Sequence, residues 1–158
     1  MSRRMSCAMT IDAVRDRTKT VTRRHVDTWK TLKPGDRLTL IEKGMGLAKG
    51  EKQVVLAEVE IVRVTVEPVT LMTSDIRYGR QECSLEGLPN MTPDEFVSFW
   101  LRGHGYGVGR HPEFGYWLDA PCRRIQWRYL NNAHQCDQDH CCRSCGRHSM
   151  PHVGCILR

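Results

Sequence analysis

No stretch of this chain is long and apolar enough to cross a bilayer, which takes about 20 consecutive apolar residues, although the chain has 158 residues in all. The opening Met1-Ser2-Arg3-Arg4-Met5-Ser6-Cys7 carries two arginines with no apolar run behind them. Neither a secretory signal nor a membrane span is therefore expected, and a cytoplasmic setting is. Internal repeats are absent. So is a phosphate-binding loop: Gly103-His104-Gly105-Tyr106-Gly107-Val108-Gly109 has neither the G-x-x-x-x-G-K-[ST] spacing nor a strand before it, and reads as a loop.

What is present is a globular composition, 40% hydrophobic and 27% charged, which excludes wholesale disorder. The length admits one domain with a real core. The net charge of +6 is unevenly spread, because residues 1–30 hold eight basic side chains against three acids. A concentrated positive region attracts polyanions such as nucleic acid, although it also serves as a solvated basic face. In a reducing compartment the eight cysteines point to metal ligation or buried thiols rather than disulfides.

Along the chain, Thr10 is placed to cap a helix running to about Asp16, with Asp12 suited to its positive end. Thr18-Lys19-Thr20-Val21-Thr22-Arg23-Arg24 alternates β-branched with long basic residues, a strand pattern. Lys33-Pro34-Gly35-Asp36 predicts a turn, Arg37 to Ile41 a strand, and the glycine- and lysine-rich residues 43–52 an exposed loop. The clearest strand signal is Val54 to Glu67. Its apolar phase switches at Ile61-Val62, which a period of two cannot do without an extra residue, so a β-bulge is predicted there. Thr92-Pro93-Asp94-Glu95 supplies an N-cap, a proline at N1 and a capping-box glutamate, with Met91 and Phe96 at the staple positions, for a helix to about Leu101. Cys122 to Leu130 reads as the closing strand.

Lys19-Thr20-Val21-Thr22-Arg23-Arg24, Leu32-Lys33-Pro34-Gly35-Asp36-Arg37-Leu38, the long valine-rich strand, Glu86-Gly87 and Asp94-Glu95-Phe96 together resemble the ASCH family, over roughly residues 9–100. That resemblance implies an α+β, PUA-like bent mixed barrel over residues 1–130, with short flanking helices and a cleft for RNA or a modified nucleoside. Lys19, Thr20, Arg23 and Arg24 are the ligand-binding residues expected in a basic cleft. One branch, the N4-acetylcytidine amidohydrolases, has a similar Lys-Thr-x-Thr motif and a glutamate before its second helix. On that similarity Lys19, Thr22 and Glu86 are the candidate catalytic residues of an amidohydrolase, and a ribonuclease activity is the other chemistry the family implies. A threonine hydroxyl becomes nucleophilic only when a base takes its proton, which a desolvated lysine can do. On a flat strand Lys19 and Thr22 would face opposite ways, so a twist or turn is needed between them. The family pattern has glycine two residues before the lysine, where this chain has Arg17 and where a helix end favours a positive φ. Thr22 can equally be a strand threonine, and the basic residues can fix a ligand without doing chemistry.

Residues 131–158 change character, with five cysteines and four histidines. Cys142-Arg143-Ser144-Cys145-Gly146 has the form of a zinc knuckle, and His152-Val153-Gly154-Cys155 supplies a second pair. Three thiolates and an imidazole suit a closed, structural, tetrahedral zinc, with Cys136, Cys141 and His148 as alternates. A zinc-stabilised interaction adaptor is thus a third functional expectation. Metal analysis of protein purified without a histidine tag should find stoichiometric zinc, with chelator lowering thermal stability; a metal-free protein indifferent to chelator would remove this site.

Overall fold

Alternating β-branched and charged side chains from Val55 to Pro68 make the 14-residue strand on which the sheet is organised. The computed structural model describes residues 3–106 and 120–130. Its elements in chain order are β1 (Arg3–Ser6), α1 (Ile11–Arg15), β2 (Val21–His25), β3 (Arg37–Ile41), β4 (Val55–Pro68), α2 (Leu71–Ser74), α3 (Ile76–Leu85), α4 (Pro93–Gly103) and β5 (Pro121–Tyr129). The five strands form one mixed sheet in the order β1-β3-β4-β5-β2. β1 runs parallel to β3, and the other neighbours are antiparallel.

The expected bent mixed barrel takes the form of a curled half-barrel: among the described residues β1 and β2 are edges with no strand pairing between them. They nevertheless approach each other, because Arg24 Nη2 donates to the Ser6 carbonyl at 2.5 Å. A side chain bridges the seam where a ladder would close a barrel.

The phase switch in β4 is expressed as a bulge. Pairing with β5 steps from Ile61 opposite Trp127 to Arg63 opposite Gln126, which leaves Val62 outside the ladder and 47% exposed. The extra residue brings Val64 to the same core as Val59 and Ile61. That first core also takes Met5, Leu38 and Ile125. A second core, built from Val69, Met72, Phe96, Trp100 and Cys122, gathers the helices. β5 contributes to both, with Ile125 and Trp127 in one and Cys122 in the other, as strand alternation requires.

α4 begins as its sequence dictates, with the Thr92–Glu95 capping box and Pro93 at its start, and runs two residues past Leu101. Thr10, by contrast, makes no side-chain cap hydrogen bond to α1, and its φ of −137° and ψ of 39° lie outside the extended geometry a cap needs. β1, α2 and α3 were not anticipated. α3 does carry a local signal, since the Asp75 side chain accepts the Tyr78 amide at 3.0 Å as an N-cap.

Two backbone positions fix how α1 meets the loop after α3. Arg17 ends α1 with φ of +59°, the left-handed conformation for which glycine is the usual residue. Its guanidinium lies 5.8 Å over the Tyr129 ring, a contact glycine would forfeit. Gly87 has φ of +78°, and a Cβ there would meet the Ala13 Cβ at 2.6 Å and the Lys19 Cβ at 3.2 Å. Strain and overpacking together make Gly87→Ala cost about 3 kcal/mol. Chemical denaturation should show that loss, whereas Gly103→Ala, with nothing within 4 Å of the new methyl, should leave stability unchanged or slightly raised.

Candidate functional site

The segment between α1 and β2 is held as a turn rather than as the start of the strand. The Lys19 amide donates to the Ala13 carbonyl at 2.9 Å and the Thr20 amide to the Leu85 carbonyl at 2.9 Å, while the Thr20 carbonyl accepts from the Trp127 amide at 3.0 Å. The Tyr129 hydroxyl donates to the Lys19 carbonyl at 2.6 Å. Strand geometry begins only at Val21, so the alternation rule does not force Lys19 and Thr22 apart, and both line one cavity.

Lys19 is 4% exposed. Its Nζ donates to the Glu86 carbonyl at 2.6 Å and to Glu86 Oε2 at 3.0 Å. Arg23 donates through Nη1 to Glu86 Oε1 at 3.2 Å, and through Nη2 to Glu67 at 2.7 Å, Glu82 at 2.7 Å and the Tyr78 hydroxyl at 3.0 Å. Arg124 grips Glu82 with two further bonds, 2.7 Å from Nε and 2.8 Å from Nη2. Burial alone would lower the Arg23 pKa, but Glu86, Glu82 and Glu67 outweigh it and hold the pKa above its ordinary value. Burial pushes the Glu82 carboxyl up; the hydrogen bonds and charges of Arg124 and Arg23 overcome this and leave it below its ordinary value. The guanidinium of Arg23, expected to meet the ligand, is thus fully enclosed among carboxylates.

The cavity has a volume of about 300 Å³. Lys19, Thr22, Arg23 and Glu86 contribute polar groups to its lining, and Phe96, Phe99 and Trp100 aromatic rings. Trp100 is itself held in place: its indole N–H donates to the Arg23 carbonyl at 3.3 Å, and the His104 ring stacks on it with centroids 4.1 Å apart. Thr22 is 5% exposed, and its hydroxyl has no hydrogen-bond partner among the described residues. Cys7 also lines the cavity, but burial raises its thiol pKa despite Lys19 and Arg24 nearby, so it offers little thiolate.

Of the sequence-predicted residues, Lys19, Thr22, Arg23, Arg24 and Glu86 come together in the cavity lining, and Thr20 does not. The zinc candidates Cys142, Cys145, His152 and Cys155, with the alternates Cys136, Cys141 and His148, lie outside the described residues. Among the described residues no group of three or more His, Cys, Asp or Glu side chains could hold a metal, and no helix is long and apolar enough to cross a membrane. Glu67, Glu82, Tyr78, Arg124, Phe96 and Phe99 escaped the sequence reading as site residues. Tyr78, Glu82 and Glu86 recur every four residues, which places them on one side of a helix; recognising α3 would have exposed the cluster.

A curled mixed sheet with short helices packed against it, α1 in one core and α2 to α4 in the other, and a cavity at the edge strand, is the architecture these observations define. No family model matches the chain, and no curated protein matches it. Solved structures do. Protein EF3133 from Enterococcus faecalis V583, described under the family model DUF984, is 15% identical, with 82% of this chain and 76% of that chain covered and a TM-score of 0.47. An ASCH domain from Lactobacillus crispatus JV V101 is 11% identical, with coverages of 76% and 69% and a TM-score of 0.45. The hypothetical protein PH0355 is 18% identical, with coverages of 82% and 100% and a TM-score of 0.46.

The depressed Glu82 pKa gives the ion-pair cluster a pH signature. A carboxyl held below its ordinary 4.5 contributes stability that is complete above that pH and is lost as the pH falls through the folded-state value. Glu82→Gln, which leaves two buried guanidinium groups under-partnered, should cost about 3 kcal/mol at neutral pH. It should also flatten the acid limb of a stability-versus-pH curve followed by denaturant titration; an unchanged acid limb would mean that Glu82 is not the group responsible.

Proposed function

We propose that the cavity binds the base of a nucleoside or of an unpaired RNA nucleotide. The observation that carries this reading is the convergence of Lys19, Thr22, Arg23 and Glu86 with Phe96, Phe99 and Trp100 around one space of about 300 Å³. That volume lies at the small end of ligand pockets. A flat ring fits between an aromatic wall and a polar side, and unpaired bases are held by that combination of stacking and edge hydrogen bonds. Lys19 Nζ uses two of its three N–H donors on Glu86, and the Thr22 hydroxyl is unengaged. These two supply the contacts to the base edge. Arg23 and Glu86, tied to each other, act as positioning residues that keep Lys19 in place.

A second reading is favoured by the Thr22 hydroxyl, unpartnered among the described residues, which lines the same cavity as the Lys19–Glu86 pair: amide hydrolysis on an N4-acylated cytidine. Thr22 Oγ would bond to the acyl carbon as its proton passes to the Lys19–Glu86 pair. That proton would then reach the departing N4 amine as the C–N bond breaks, and water would cleave the acyl-threonine ester. The ribonuclease and adaptor readings have no comparable support among the described residues.

A panel of nucleosides and short single-stranded RNAs, including N4-acetylcytidine, tests both readings by thermal shift and tryptophan fluorescence. A binding member should raise the unfolding temperature, and Lys19→Ala should weaken it about tenfold or more, the usual worth of a charged hydrogen bond. No stabilisation by any member, or full affinity without the Lys19 ammonium, contradicts base recognition. Cytidine release from N4-acetylcytidine at the blank rate, with binding intact, removes the hydrolytic reading alone.

A further inference from the structure

The ionised side chains beneath the cavity cancel one another. Lys19, Arg23 and Arg124 are matched by Glu67, Glu82 and Glu86 in mutual ion pairs. His104, which also lines the cavity, has its pKa lowered chiefly by burial, which favours its neutral form. Arg24 lines the same cavity and forms no ion pair with any described carboxylate. Its Nη2 reaches the Ser6 carbonyl across the seam at 2.5 Å, while its Nε is buried without a hydrogen-bond partner. A guanidinium has five N–H donors, and a buried donor left unmet costs free energy that an incoming acceptor would recover.

A full positive charge with donors to spare, beside a cavity that is otherwise neutral, suits an anion better than a neutral group. Guanidinium binds phosphate through paired, charge-assisted hydrogen bonds. We infer that Arg24 receives a phosphate group of the ligand, so that the site takes a nucleotide in preference to the nucleoside bearing the same base. This rests on the base-binding reading above and adds the chemical class of the ligand. A short turn of the Arg24 side chain away from Ser6 frees the donors, and the phosphate then occupies the seam between β1 and β2.

Calorimetric titration with the four ribonucleosides, their 5′- and 3′-monophosphates and inorganic phosphate distinguishes the possibilities. At least one monophosphate should bind about tenfold more tightly than its nucleoside, with an advantage that shrinks as salt rises. The advantage should vanish in Arg24→Gln, so that each monophosphate binds that variant no more tightly than its own nucleoside does. Arg24→Lys keeps the charge without the fork and should retain part of it; if Arg24→Gln does not fold, that variant and the wild-type salt dependence decide. Equal affinity for nucleosides and all their monophosphates overturns the inference while leaving base binding intact, as does an advantage that persists in Arg24→Gln. Binding of neither form removes both. Tight binding of a dinucleotide assigns the phosphate to an RNA phosphodiester, and its exclusion assigns it to a free nucleotide.

Discussion

A guanidinium leaves water at a cost of several kcal/mol unless acceptors of opposite charge surround it, and Arg23 is surrounded by Glu67, Glu82 and Glu86. Each of these partners comes from a different place: Glu67 from the far end of β4, Glu82 from within α3, Glu86 from just beyond it. The cluster therefore ties the helical layer to the sheet through bonds that have directions, where apolar packing alone would leave the helices free to shift. Its geometry is shared with the cavity, since Lys19 hangs from Glu86 and Trp100 from the Arg23 carbonyl. Removing one carboxylate would disturb the position of both the polar and the aromatic sides.

Sequence and structure agree most closely where local chemistry decides. The capping box at Thr92 and Glu95, the turn at Pro34-Gly35 and the bulge at Val62 are fixed by residues within a few positions of one another, and each was legible. Arg17 stands where the family pattern has glycine, and the chain adopts the left-handed conformation there even without it. Lys19, Thr22 and Glu86 were named on motif resemblance, while whether they meet could not be read from the sequence; all three line the cavity.

What was not legible depends on long-range pairing. β1 has four residues, too few for a period to show, and becomes a strand because β3 offers it a parallel edge. How far the sheet curls toward a barrel depends on whether β1 and β2 meet, and no local pattern encodes that. The positive charge of the first 30 residues was expected to make a basic cleft. The matching acids sit in β4 and α3, far along the chain, so the compensation becomes visible only when the fold brings them together. Charge read along a sequence is a sum; charge read in a cavity is an arrangement.

The two cores share β5, and on it Arg124 of the ion-pair cluster stands next to Ile125 of the apolar core on the other face. A replacement on the polar side of the cavity thus shifts a strand that the whole molecule is packed upon. Met9, Phe99 and His104 line the same space without belonging to that cluster. Selection for a new ligand would therefore find tolerated variation at those three positions long before it found any beneath them, and related chains that diverge in specificity should diverge at the rim while keeping the base of the pocket.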